Sequence, residues 1–65
     1  MNDFRKIWLP LADRFYRVAY HLLESRDDAE DAVQELYQKI FSIQGKLVYV
    51  RDPAAYGITL LKNIC

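Results

Sequence analysis

The only cysteine is residue 65 and the only histidine is residue 21, so the chain can close no internal disulfide and build no cysteine–histidine zinc site. Nothing else in the sequence constrains the fold as strongly. A domain of 65 residues buries only about 60% of its unfolded surface, and domains that small usually need a cross-link or a metal. Stability here must come from packing, from self-association or from a partner. The material for packing is present: 52% of the residues are hydrophobic, among them one Trp, five Tyr and three Phe.

That material is laid out at helical spacing. Phe4, Ile7, Trp8, Leu11, Phe15, Val18, Ala19, Leu22 and Leu23 recur at three- and four-residue steps. Pro10 interrupts the run, removing a hydrogen bond and clashing with the carbonyl of Lys6. The pattern predicts a helix over roughly 3–24 that either kinks near Lys6–Leu9 or starts afresh at Leu9–Pro10. A second helix is predicted over 27–43, with Asp27 as N-cap and Glu30 completing a capping box. Its apolar face is Ala29, Ala32, Val33, Leu36, Tyr37, Ile40 and Phe41. Gln44-Gly45-Lys46 breaks it. The strand-like patch Leu47-Val48-Tyr49-Val50 has no strand to pair with, so 44–52 reads as an extended loop with apolar anchors. Asp52 as N-cap and Pro53 at the first helical position open a third helix over 53–65, striped by Ala55, Ile58, Leu61 and Ile64. The predicted fold is all-α, a single small bundle of about three helices.

Formal net charge is zero, but its distribution is uneven. From Glu24 to Glu35 six acids stand against one base, Arg26. Acids belong in the first turn of any helix, where they offset the positive end of the macrodipole. Beyond that turn, Asp31, Gln34, Glu35 and Gln38 form a polar face of carboxylates and amides, which is binding chemistry. Enzyme chemistry is not indicated. His21 and Glu24 are a single pair at helical spacing, whereas carboxylate metal sites in bundles use two such pairs and further glutamates. No phosphate loop or nucleophile–base arrangement is present either. No catalytic residue, metal ligand or cofactor is therefore expected. The start Met1-Asn2-Asp3-Phe4 has no signal-peptide character, and no run approaches a membrane span, so a cytoplasmic location is expected.

Three segments together carry a resemblance: Ala19-Tyr20-His21-Leu22-Leu23, then Asp28-Ala29-Glu30-Asp31-Ala32-Val33-Gln34-Glu35, then Asp52-Pro53-Ala54-Ala55-Tyr56 leading to Lys62-Asn63. From about Phe4 to Cys65 the chain resembles region 2 of a bacterial RNA polymerase sigma factor of the sigma-70 family, in the compact extracytoplasmic-function form. The resemblance implies that the second helix docks on the clamp helices of the polymerase β′ subunit through Asp31, Gln34, Glu35, Gln38 and Phe41. Partner arginines can take bidentate hydrogen bonds from Asp31 and Glu35, and Phe41 serves either as an aromatic anchor or as a core residue. It also implies that loop 44–51 captures a flipped-out base of the −10 promoter element. Gly45 would allow close approach, Lys46 and Arg51 would meet phosphates, and Tyr49 would stack on the base.

The chain departs from that family in the third helix. Gly57 and Thr59 stand where a large and a basic residue are expected, and Lys62 is the only base of that helix. The pattern also stops without a helix-ending signal, as a fragment of a longer protein would. Because phosphate neutralisation drives DNA affinity, promoter binding is expected of the parent protein and only weakly, if at all, of this chain. Lys62 completes its expected DNA-contacting set of Lys46, Tyr49, Arg51 and Lys62. An anti-sigma factor is a further expected partner. A homodimer through Leu60, Leu61 and Ile64 is an expectation of the apolar surplus. The rival reading is a small helical interaction module, an adaptor or anti-regulator that never touches DNA.

Overall fold

A computed structural model describes the backbone of residues 2–65 and the side chains of residues 5–47 and 50–65. Phe4 of the expected apolar stripe, and Val48 and Tyr49 of the expected loop, have side chains outside that set. The fold is all-α, as the apolar spacing requires. Helix α1 covers Asn2–Trp8, a 3-10 turn covers Leu9–Leu11, and α2 runs from Ala12 to Leu23. Pro10 explains the break. Without its N–H the α-helical ladder cannot continue, and the chain tightens so that the Ala12 N–H bonds the Leu9 carbonyl. The Trp8 carbonyl, at the end of α1, accepts from the Tyr37 hydroxyl at 2.6 Å and ties α1 to α3.

Helix α2 ends on Glu24, which takes the left-handed conformation at φ 55° and ψ 32° and donates its N–H to the Tyr20 carbonyl at 2.7 Å. Helix α3 then spans Arg26–Ser42. Its N-cap is Ser25, not Asp27: Ser25 is extended and its Oγ accepts from the Asp28 N–H at 3.3 Å. The connection from α2 is so tight that Arg26 and Asp27 are already helical, leaving Ser25 the last residue free to cap. Asp27 and Asp28 keep their place in the first turn, opposite the macrodipole, while Glu30 is released from capping.

The segment expected to be an extended loop is a 3-10 helix, Gln44–Tyr49. A patch with no partner strand must satisfy its backbone locally. The Lys46 N–H does so on the Ile43 carbonyl at 2.8 Å, and the Val50 N–H on the Leu47 carbonyl at 3.1 Å. Residues three apart stack on one side of a 3-10 helix, and accordingly Leu47 is buried and Val50 packs against the core. Helix α4 follows over Pro53–Ile64, capped as the sequence predicts, with Asp52 Oδ1 accepting from the Ala55 N–H at 3.2 Å.

The core comprises Trp8, Phe15, Ala19, Ala29, Ala32, Leu36, Ile40, Leu47 and Leu61. Helix α2 packs chiefly on α3, with alanines 19, 29 and 32 buried among these helices, and α4 packs on both. The surface expected to drive self-association is turned inward. Leu61 is fully buried and Leu60 and Ile64 pack against the core, because that stripe is what α4 has to offer α2 and α3. The large apolar residues that stand exposed are others, notably Ile7, Leu9, Tyr20 and Leu22.

Gly57 is the contact on which α4 sits. A Cβ at position 57 would clash with the Phe15 ring, 2.6 Å from Cε1 and nearer still to Cζ, and Phe15 has no exposed surface. The glycine that breaks the sequence pattern is thus a seat for an aromatic ring.

Three outcomes follow from this packing. Alanine at Gly57 would gain about 1 kcal/mol of helix propensity, but the overpacking of an immobile ring costs about 1–3 kcal/mol or more. Gly57→Ala should therefore lower the thermal midpoint, and trimming the ring in Phe15→Leu/Gly57→Ala should recover part of the loss; a raised midpoint in the single variant would refute the contact. At Glu24, the left-handed backbone favours glycine, so Glu24→Gly should stabilise by about 0.5–1 kcal/mol in urea unfolding. Burial pushes the Tyr37 hydroxyl up from 10.0 to about 12. The unfolded chain therefore ionises first, and the stability this group contributes is complete below pH 10 and lost as the pH rises through about 12. Tyr37→Phe should lose about 1 kcal/mol at neutral pH and show a shallower decline over that alkaline window.

Candidate functional site

Helix α3 divides its residues by face. Ala29, Ala32, Leu36 and Ile40 are buried, and Asp31, Gln34, Glu35 and Gln38 are exposed. Positions 31, 34, 35 and 38 are separated by steps of three and four, so the four side chains share the outward surface of one helix. Among the described residues, none of the four has a hydrogen-bond or ion-pair partner within the protein. The helix holds them in register on the exposed face, which leaves them available to a partner at little reorganisation cost.

The two flanks of this face differ. On one side lies α4: the Cys65 thiol is pushed up by burial and by the negative charge of Glu35. On the other side lies α2. There Gln34, Val33 and Glu30 join Ala12, Asp13 and Tyr16 around an open groove of about 300 Å³. Of these lining residues, the sequence marks only Gln34 as part of a docking site. Asp13 and Tyr16 sit three apart and so share a side of α2, a visible signal. That α2 brings that side up to Glu30 and Gln34 depends on how the helices pack, which spacing does not reveal.

Phe41 stands at the far end of the same face, 39% exposed. Its ring is 6.3 Å from that of Tyr37, which is 5.9 Å from that of Phe15. These contacts form an aromatic path from the core to the surface. Phe41 is therefore half anchored inside and half presented outside.

The candidate DNA-contacting residues lie on the 3-10 segment, the following loop and α4. Lys46 and Arg51 are exposed on either side of the buried Leu47, while the side chain of Tyr49 lies outside the described residues. Among the described residues, nothing lies within 4 Å of where a Cβ at Gly45 would stand. Lys62 is exposed on α4, ten residues beyond Asp52 and hence about 15 Å along the helix from that end of the loop. At His21 and Glu24, the left-handed backbone takes Glu24 out of helical register. Among the described residues no group of three or more His, Cys, Asp or Glu is placed to hold a metal ion, and no helix is long and apolar enough to cross a membrane. No family model matches the chain, and no curated protein or solved structure matches it.

Proposed function

We propose that the chain acts as region 2 of a transcription initiation factor of the sigma-70 family, docking through the outer face of α3 on the β′ clamp helices of bacterial RNA polymerase. The observation that carries this reading is the exposed strip Asp31, Gln34, Glu35 and Gln38, which has no partner among the described residues. Two carboxylates and two amides in helical register suit the arginines and polar groups of a partner helix. A carboxylate can accept a guanidinium bidentately, and an amide both donates and accepts. Phe41, half exposed at the end of the strip, supplies apolar contact of the kind that anchors interfaces.

Lys46 and Arg51 are given the second task. Both are exposed cations flanking buried anchors, a suitable arrangement for holding a phosphate backbone while Tyr49 stacks on an unpaired base. In this reading a cytoplasmic location follows from the polymerase partner. With so few cations, each releasing about one counterion, the chain by itself binds promoter DNA weakly. Thr59, where a base is expected, spends its hydroxyl on the Ala55 carbonyl at 3.1 Å and adds no phosphate contact. Binding is the activity proposed, and no residue is given a catalytic role. A helical adaptor would use the same α3 face but would have no task for Lys46 and Arg51.

The test is calorimetric titration of the folded chain with an isolated β′ clamp-helix fragment. Gln34→Ala and Glu35→Lys should each weaken binding by roughly tenfold or more, equivalent to about 1.4 kcal/mol, whereas Lys46→Ala should leave it unchanged. Absence of heat at high micromolar concentration removes the polymerase assignment. An equal loss from Lys46→Ala removes the division between docking face and promoter loop.

A further inference from the structure

The groove between α2 and α3 has a chemistry of its own. Ala12, Val33 and the ring of Tyr16 give it apolar and aromatic walls, and Asp13 from α2 and Glu30 from α3 add a carboxylate from each helix. Both acids are exposed, and among the described residues neither is paired with a base. Glu30 is also free of the capping duty its position suggests, since Ser25 caps α3. Two unpaired negative charges along one groove repel each other and attract a cation. The volume of about 300 Å³ is at the low end of small-molecule sites, and the groove is widely open to solvent. That suits a single long side chain better than a compact metabolite.

We propose that this groove receives an arginine side chain of a partner protein, its stem along Ala12 and Val33 and its guanidinium over Tyr16 between Asp13 and Glu30. Arginine fits better than lysine because its planar head stacks on an aromatic face and bonds carboxylates through a fork of donors. The inference rests on the reading of α3 as a partner-docking face and extends that face across Gln34 onto α2. It makes Asp13, Tyr16 and Glu30 determinants of which partner is accepted, by rewarding a base at one position and repelling an acid there.

Amide-resolved NMR titration of the whole chain tests the groove without any polymerase component. N-acetyl-arginine N-methylamide should produce saturable shifts at Ala12, Tyr16 and Val33, with half-saturation on the order of millimolar. The neutral isostere N-acetyl-citrulline N-methylamide should bind roughly fivefold more weakly, the difference an exposed charge pair supplies. Asp13→Asn/Glu30→Gln replaces two exposed carboxylates by amides of the same shape, so the fold should be retained, and the preference for arginine should vanish. Equal binding of arginine and citrulline, or a preference that survives in the double variant, overturns the proposal. A second arm uses the β′ clamp-helix fragment. If the fragment fails to bind while the arginine derivative binds in the groove, the polymerase assignment falls and the groove stands. If the fragment binds wild type and the double variant equally, the groove is no part of docking and the proposal falls.

Discussion

The Phe15 ring occupies the space that a side chain at position 57 would need, and the rest of the bundle is arranged around that contact. Phe15 is fully buried, lies beside Tyr37 of α3, and meets α4 at its one helical glycine. Three helices therefore converge on one rigid ring. In a chain without cross-links this matters, because apolar burial is the main term available to offset the entropy of ordering a small domain. A ring that touches α3 and α4 from α2 gives each helix a reason to keep its place relative to the other two. The glycine costs helix propensity locally and allows an approach that no larger residue permits.

Much of this fold was legible in the residues. Three- and four-residue apolar steps located the helices, and Asp52-Pro53 located the start of α4, because capping and proline geometry are local effects written within a few residues. What was illegible depended on neighbours. The choice of Ser25 over Asp27 as cap was decided by how tightly α2 turns into α3. The 3-10 form of Gln44–Tyr49 was decided by the absence of a strand to pair with and by the need to bury Leu47. Gly57 read as a departure from a pattern until the ring opposite it was in view. The polar strip of α3 was visible from spacing alone, whereas the groove beside it joins residues 17 positions apart, from Asp13 to Glu30.

Charge is sorted along α3 in a way that separates structure from binding. Asp27 and Asp28 occupy the first turn, where they offset the helix dipole and belong to the fold. Glu30, Asp31 and Glu35 lie further along, where that dipole has faded. Their carboxylates have no task in holding the helix, and no base within the described residues neutralises them. The negative surface this leaves steers basic partners and discourages acidic ones, an effect on encounter and selectivity more than on affinity.

The docking face and the core are mechanically one object. In a helix, the rotational phase of the outer residues is fixed by that of the inner ones, about 100° per residue. The buried Ala29, Ala32, Leu36 and Ile40 set the phase of α3, and the Tyr37 hydroxyl locks it to the Trp8 carbonyl at 2.6 Å. A roll of α3 by a single residue would bury a carboxylate and expose an alanine, which burial energetics forbid. The same constraint that folds the chain therefore presents its candidate binding surface in one fixed orientation.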